Sequence, residues 1–262
     1  MTLRHLLGAA LAAVLLVTPA ARAQTSLDPA ALKKLIETLD DRQRNSGDYK
    51  ALVYIEQKEK DKTDVVREAV VYRRDADDKL MILLTKPKGE AGKGYLRQEK
   101  NLWSYDPNTG KWERRTERER IAGTASRRAD FDESRLSEEY DASFEKEEKL
   151  GKFTTYVLTL KARQGVDVAY PVVHMWVDKE TSNVLKRQDF ALSGRLMRTS
   201  YFPKWLKLFS ESKKGDFWYA QEVRFYDEVE KANSTVLVIK SVDLRPLEAN
   251  IFTKAWLESK SR

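Results

Sequence analysis

The sequence predicts a mainly β protein built around one large, curved antiparallel sheet or open barrel. Segments rich in aromatic and β-branched residues, with alternating apolar and polar side chains, recur along most of the chain. Short turns, such as the D-P-N-T-G of residues 106–110, join these segments with almost no helix between them. Parallel neighbours need crossovers of about a dozen residues or more, so the short turns favour antiparallel pairing. About ten to twelve strands are expected in a single domain.

The first 23 residues have the layout of a secretory signal peptide. A positive start at Arg4, an unbroken apolar run over residues 6–17 and an A-x-A site ending at Ala23 follow in order. The apolar run is too short to span a bilayer, which needs about 20 residues, so a membrane anchor is not expected. We therefore expect cleavage after Ala23, export to a periplasm, and one mature domain over residues 24–262.

Composition narrows the class of protein further. The formal net charge is +7, with 34% charged and 41% hydrophobic residues, which is typical of a soluble globular domain. The absence of cysteine excludes a disulfide scaffold, a thiolate metal site, a cysteine nucleophile and a lipid anchor on an N-terminal cysteine. No second long apolar run follows the first, so the mature chain is not expected to span a membrane.

The first element of the mature chain is a predicted helix over residues 27–39. Asp28 can cap it, and Pro29 suits its first position, where a missing N–H costs little. Leucine and isoleucine then recur at spacings of three and four, from Leu32 to Leu39, and give one apolar stripe. Strand-like segments follow over 49–57, 65–73, 79–85, 94–97, 102–105, 111–116, 140–149, 153–161, 172–177, 184–191, 196–202, 217–229 and 235–244. Residues 251–257 close the chain.

The inventory of reactive side chains does not indicate an enzyme. His174 is the only histidine outside the signal peptide, and the G-x-S-x-G motif of many serine hydrolases is absent. The glycines between Gly89 and Gly94 match neither phosphate-binding motif and join two strands. Carboxylates mostly alternate with Lys and Arg, as on a solvated strand face. We expect no catalytic residue, no cofactor and no metal.

Residues 117–139 lose the β pattern and are rich in Arg, Glu, Ser and Asp, which predicts a loop with one short helix near Glu133. We expect residues 114–128 to be a mobile loop at the mouth of the barrel that buries little apolar surface. Two roles remain open for its arginines. They either pair with neighbouring glutamates on a solvated loop, or they contact an anionic head group or an acidic partner. The second role nominates Arg118, Arg120, Arg127 and Arg128.

Large aromatic side chains are spread over many of the predicted strands. Most of them must be core, but a curved sheet has only one concave face, and a single helix is a small plug for it. The remainder are expected to line a cavity for an apolar ligand. The predicted ligand-binding residues are Val53, Ile55, Val70, Tyr72, Leu83, Trp103, Tyr105, Trp176, Met197 and Phe225. Alternation pairs those on the same strand, but which face is concave stays open at this stage.

Several segments, taken in order, resemble one known family. They are GKGYLRQEKNLWSYDPNTGKWERR (92–115), ADF (129–131), HMWVDKETSNVLK (174–186), SGRLMRT (193–199) and IFTKAWLE (251–258). Together they resemble the outer-membrane lipoprotein-sorting proteins, which are similar to the periplasmic carrier LolA. The resemblance implies an open, curved antiparallel half-barrel with an N-terminal helix and short helical lid elements over its hydrophobic concave side.

The same resemblance implies a function. The carrier takes the acyl chains of a lipoprotein from an inner-membrane transporter into its concave cavity and passes them on towards the outer membrane. We therefore expect a periplasmic, non-enzymatic carrier for the acyl chains of a lipid or lipoprotein, with no nucleic-acid partner. The alternatives are a non-catalytic periplasmic regulatory or sensor module and an accessory subunit of an envelope export system.

Overall fold

The computed structural model describes residues 27–98, 101–116 and 118–261, and the predicted signal peptide with its cleavage site lies outside these ranges. Within them the chain forms one 13-stranded antiparallel sheet that stays open. This confirms the predicted mainly β, open half-barrel with an N-terminal helix and short helical elements.

The elements of the described chain have the following bounds. The helices are α1 (Pro29–Gln43), α2 (Leu136–Glu139) and α3 (Lys254–Lys260). The strands are β1 (Asp48–Lys58), β2 (Val65–Arg74), β3 (Lys79–Lys86), β4 (Gly94–Gln98), β5 (Asn101–Asp106), β6 (Lys111–Arg115), β7 (Tyr140–Leu150), β8 (Phe153–Ala162), β9 (Val172–Asp178), β10 (Val184–Phe190), β11 (Leu196–Ser210), β12 (Gly215–Asp227) and β13 (Ser234–Asp243). Their order across the sheet is β6-β5-β4-β3-β2-β1-β13-β12-β11-β10-β9-β8-β7. Within these ranges, no helix is both long and apolar enough to cross a membrane.

The N-terminal helix begins where the sequence predicts it. The Asp28 carboxylate caps α1 by accepting a hydrogen bond from the Ala31 N–H at 2.8 Å. The apolar stripe from Leu32 to Leu39 is buried and packs against strands β7 to β10. The stripe therefore fixes α1 to one face of the sheet.

The sheet curves strongly, so that its two faces differ. Val71 on β2 and Tyr140 at the start of β7 line the same cavity. They are eight strand positions apart, which corresponds to about 38 Å in a flat sheet at ~4.8 Å per strand. Only a strongly curved sheet brings both residues to one cavity. We call the face toward this cavity the inner face and the opposite one the outer face.

Each face carries a cover of different origin. The inner face is covered by α1 and by residues 118–139, which we call the roof. The outer face of β2 to β5 is covered by α3 and the short 3-10 helix Ala249–Phe252. Leu257 of α3 is fully buried there against Met81 and Leu96. The sheet is thus the middle layer of a three-layer arrangement on this side.

Strands β12 and β13 pair over only part of their length. Their ladder joins Glu222–Tyr226 to residues 234–238. Residues 215–221 of β12 lie beside β11 instead, and residues 239–243 of β13 lie beside β1. The sheet therefore splits between these two strands at one rim.

Strand β11 is longer than the sequence predicts. It continues past residue 202 to Ser210, although Pro203 lies within it. The register shifts on both sides of Lys204, from Tyr201 to Trp205, and such irregularities admit a proline because the ladder is already interrupted there. The long β11–β12 hairpin that results forms one side of the split rim.

The roof also differs from the sequence prediction. Ile121 and Phe131 are buried in the inner core, and Leu136 packs against α1. Within the predicted loop of residues 114–128, Ile121 and Ala125 are buried in the inner core, so the expectation that this stretch buries little apolar surface is wrong. The few apolar residues of the roof are spaced so that each reaches the inner face, and short helical turns take the place of the single predicted helix near Glu133.

Candidate functional site

A partly open cavity of about 160 Å³ lies between the inner face and the roof. The strands contribute mainly apolar side chains, among them Val53, Val71, Phe202, Trp205, Phe217 and Phe225. The roof contributes residues 128–136, most of which are charged. Cavities that bind small-molecule ligands usually measure about 300–1,000 Å³, so a long acyl chain needs more room than this closed arrangement offers.

A chain of buried ion pairs ties the roof to β10 and β11. Asp189 accepts a hydrogen bond from Arg187 Nε at 2.5 Å and another from Arg198 Nε at 2.7 Å. Arg198 also donates to both carboxylate oxygens of Asp130 in the roof, at 2.6 and 3.1 Å. Burial alone would raise the pKa of Asp189, but the two adjacent guanidinium groups outweigh it and hold that pKa below its usual value.

A second group of ion pairs ties the roof to β2 and β4. Asp132 pairs with Arg128 inside the roof and with Arg97 on β4. Arg73 on β2 donates to Asp75 at 2.6 Å and to the backbone carbonyl of Asp132 at 3.3 Å. All of these side chains are buried or nearly so. Because an isolated buried charge is very costly, the pairing is what allows this charged roof to sit on the sheet.

Arg127 differs from these arginines. Its Nη1 atom is buried and has no hydrogen-bond partner in the described part of the chain. The guanidinium stands beside the ring of Tyr170, with Cζ 5.8 Å from the ring centroid. Burial, together with the nearby positive charges of Arg198 and Arg120, lowers the pKa of Arg127.

The structure separates the ten predicted ligand-binding residues. Val53 and Phe225 line the inner cavity, and Ile55 is fully buried in the same inner core. Met197 packs against the inner cluster beneath α1. These four positions share the inner face.

The other six predicted residues do not line the cavity. Val70, Tyr72, Leu83 and Tyr105 belong to the outer cluster under α3. Trp103 lies opposite Leu96 of that cluster, with Lys254 Nζ 4.1 Å from its ring centroid. Trp176 donates to Glu148 at 3.2 Å on the outer side of β9, since its neighbours Met175 and Val177 belong to the inner core.

The four nominated arginines are also separated. Arg118 is exposed, whereas Arg120 pairs with Asp227 at 2.6 Å at the edge of the roof. Arg127 and Arg128 lie inside the roof, where burial limits their contact with solvent. Only Arg118 and Arg120 are therefore placed to meet a large partner or a membrane surface directly.

Sequence reasoning missed the main anchors of the roof. They are Asp130, Arg187, Asp189 and Arg198. A signal was present in β10, where Arg187 and Asp189 pair with Met175 and Val173 of the inner core. Two opposite charges at the inward positions of a strand indicate a buried ionic contact with another element.

A larger cavity of about 720 Å³ lies at the split rim. Its walls include Leu208 and Phe209 at the end of β11, and Val242 and Leu244 at the end of β13. Phe209 is 60% exposed, and this cavity is more open to solvent than the one under the roof. The larger volume favours the rim cavity as a ligand site. Because the rim cavity is exposed, however, an apolar chain bound there would stay in contact with water. We therefore take the inner cavity, which the roof partly covers, as the primary candidate.

The structure offers no reactive centre in the described residues. His174 stacks against Phe190 with ring centroids 4.6 Å apart, and burial lowers its pKa. No cluster of three or more metal-ligating side chains is found in the ranges that the structure describes. The inner cavity combines apolar walls with a charged roof.

Comparisons with known proteins agree with this arrangement. A crystal structure of a LolA superfamily protein from Nitrosomonas europaea superposes with a TM-score of 0.73 at 20% identity, covering 86% of this chain and 98% of that one. An outer membrane lipoprotein-sorting protein domain from Vibrio parahaemolyticus gives a TM-score of 0.74 at 20% identity, covering 86% and 97%. A DUF1329 family protein from Desulfovibrio piger gives 0.75 at 18% identity, covering 87% and 98%. No curated protein matches the sequence.

The structural matches confirm the resemblance drawn from the sequence and show that the fold is LolA-like. A family model described as an uncharacterized protein matches residues 76–259, which is well over half of the chain. The chain therefore belongs to the family that this model describes.

Proposed function

We propose that this protein is a non-enzymatic carrier that holds the acyl chains of a lipid or lipoprotein between the inner face of the sheet and the roof. The observation that carries the proposal is the cavity between apolar strand side chains and a charged cover held by ion pairs. Burying an acyl chain yields about 0.8 kcal/mol per CH₂ group, so a chain that is only partly buried still gains binding free energy. The LolA-like fold supports the same function.

The proposed carrier must open to load its cargo, because the cavity of about 160 Å³ is too small for a long chain. The roof is the cover that moves in this proposal. Its contacts with the sheet include many charged pairs, and water can solvate these groups when they separate, whereas separated apolar surfaces gain no such compensation.

The cellular setting of the proposal follows the sequence. We propose that the signal peptide is cleaved after Ala23, that residues 24–262 fold as one periplasmic domain, and that an inner-membrane transporter supplies the cargo. N-terminal sequencing of the exported protein tests the first step, and a start at Met1 in the membrane fraction would contradict it.

The decisive experiment is lipid extraction from protein purified out of its native envelope, followed by mass spectrometry. A carrier should copurify with acyl lipid or lipoprotein in near-stoichiometric amount. Protein that is free of lipid but forms a stable complex with the periplasmic segment of a membrane protein would instead support the regulatory alternative.

A matched pair of variants locates the binding site. Ala220 lines the inner cavity, whereas Val66 is exposed on the outer side of β2. Ala220→Phe should fill the cavity and weaken binding of the uncharged dye phenylnaphthylamine at least about tenfold. Val66→Phe adds a similar apolar side chain outside the cavity and should leave the dye affinity unchanged. Equal dye binding by both variants would place the apolar site elsewhere, with the rim cavity as the next candidate.

A further inference from the structure

We propose that the roof holds a site for one anionic group, centred on Arg127, and that this site binds the charged head of the lipid whose chain lies in the inner cavity. This inference rests on the proposed function and narrows the cargo to acyl lipids with a carboxylate or phosphate head. It begins from the buried Arg127 Nη1 atom, which lacks a partner in the described residues. A buried charged donor without an acceptor is costly, so this position favours an added acceptor.

Two carboxylates of this region are already engaged by other groups. Both oxygens of Asp130 accept from Arg198, and one of them also accepts the backbone N–H of Arg127 at 2.7 Å. Asp189 lies between Arg187 and Arg198. Asp130 and Asp189 are therefore both engaged by guanidinium groups other than that of Arg127.

A small cavity of about 20 Å³ lies beside Arg127. Arginines at 127, 128, 187 and 198 line it together with carboxylates at 130, 139 and 167. A space of this size holds about one water molecule or one oxygen atom of a larger group. Tyr170 forms part of the wall and supports the guanidinium groups of both Arg127 and Arg198.

The position of this space connects it to the apolar site. Arg128, Asp130, Glu139, Tyr140 and Arg187 line both the small cavity and the inner cavity. An oxygen of a carboxylate or phosphate placed beside Arg127 is therefore within reach of a chain lying under the roof. The planar guanidinium fork suits these groups because it can donate two parallel hydrogen bonds.

Lauric acid and its methyl ester provide the test, since they share the same chain and differ in head-group charge. Binding of each is measured by displacement of phenylnaphthylamine from the exported protein. The wild type should bind the acid at least about tenfold more tightly than the ester. Arg127→Gln should lose this preference and keep its affinity for the ester. Arg163→Gln is the matched control, because Arg163 is a surface arginine paired with exposed Asp141 at 3.1 Å.

Arg127→Lys separates charge from geometry, and it is expected to recover only part of the preference because an ammonium group lacks the fork. Thermal unfolding of each variant confirms that it is folded.

If the wild type binds both ligands equally, the anion site is wrong while the carrier proposal stands. If neither ligand displaces the dye, the carrier proposal itself fails. Inorganic phosphate at millimolar concentration is the third arm: if it binds to the wild type as tightly as the acid, the site is independent of lipid and the inference is overturned.

Discussion

The inner and outer faces of the same strands are covered by layers of opposite character. On the inner side, the roof places Asp130 and Asp132 against buried arginines of the sheet. On the outer side, Phe252 and Leu257 pack against Tyr72 and other apolar side chains of β2 to β5. The roof adds paired charges to the burial of a few apolar side chains such as Ile121 and Phe131, whereas the outer cover depends almost entirely on apolar burial.

This difference indicates which cover can move. Apolar burial is lost in proportion to the area exposed, about 25 cal/mol per Å², so lifting α3 would be costly. A buried ion pair contributes little net free energy, because desolvation offsets its attraction, although removal of one partner is strongly destabilising. The ion pairs of the roof therefore add a specific closed geometry at little cost of opening, so that opening mainly costs the burial of its few apolar side chains, such as Ile121 and Phe131. The outer cover, which is almost entirely apolar, serves as a permanent core.

The largest effect is expected from Asp189→Ala. This change leaves the buried Arg187 and Arg198 without their shared carboxylate, and breaking such a buried pair typically costs about 3–5 kcal/mol. The free energy of unfolding, measured in urea at neutral pH, should fall by an amount in this range. A fall below about 1 kcal/mol would show that the ionic anchors of the roof are solvated and the comparison of the two covers is mistaken.

The same variant has an expected pH dependence. The pKa of Asp189 is lower in the folded than in the unfolded protein, so its contribution is present above the unfolded value of about 3.9 and is lost as the pH falls through the folded value. The difference in unfolding free energy between wild type and Asp189→Ala should therefore shrink as the pH is lowered below about 4. A difference that stays constant between pH 7 and pH 3 would contradict the assigned role.

The second effect concerns the outer cover. Leu257 is fully buried, and Leu→Ala changes in cores cost about 2–5 kcal/mol. Leu257→Ala should lower the free energy of unfolding in this range and leave the dye affinity of the folded protein unchanged. Ser259→Ala, at an exposed position of the same helix, serves as the control and should shift stability by less than about 0.5 kcal/mol. Loss of dye binding at Leu257→Ala would mean that the two faces are coupled.

The strands and α1 could be predicted from the sequence because their signals are local. The alternation in β1 and the cap at Asp28 depend only on neighbouring residues. The inner face could not be assigned, because alternation gives two sets of residues without saying which set is concave. The pairing of Val53 with Ala69 puts Val70 on the opposite face, and only the register reveals it. The outer cover was missed for the same reason, since nothing local indicates that Leu257 crosses β4.

Trp103 gives a direct test of this assignment of faces, with an intermediate effect. Trp103→Asp removes the contact with Lys254 and places a carboxylate on the half-buried outer face. We expect a loss of stability of roughly 0.5–3 kcal/mol and unchanged binding of phenylnaphthylamine at a temperature where the variant is folded. Abolished dye binding, with circular dichroism like that of the wild type, would return Trp103 to the ligand site.

The smallest effects on stability are expected at the exposed edge of the roof. Arg118→Gln should change the free energy of unfolding by less than about 0.5 kcal/mol, because the side chain is exposed. Arg120→Gln removes its partly exposed pair with Asp227 and should cost up to about 1 kcal/mol.

If these arginines steer the protein to an anionic membrane surface, the double variant should associate several-fold more slowly with anionic liposomes at low ionic strength. The difference should disappear at about 1 M salt, where the Debye length is about 3 Å.

Arg224 provides the control for this last experiment, since it is an exposed arginine on β12, away from the roof, and pairs with Glu222. Arg224→Gln changes the net charge by one but should leave the association rate close to that of the wild type. Equal slowing by Arg224→Gln and by either single roof variant would mean that net charge alone matters. If the double variant associates as fast as the wild type at low salt, the edge of the roof has no docking role, and its arginines serve only the pairs seen within the protein. The buried ion pairs of the roof would then account for the arginine content of this segment on structural grounds alone.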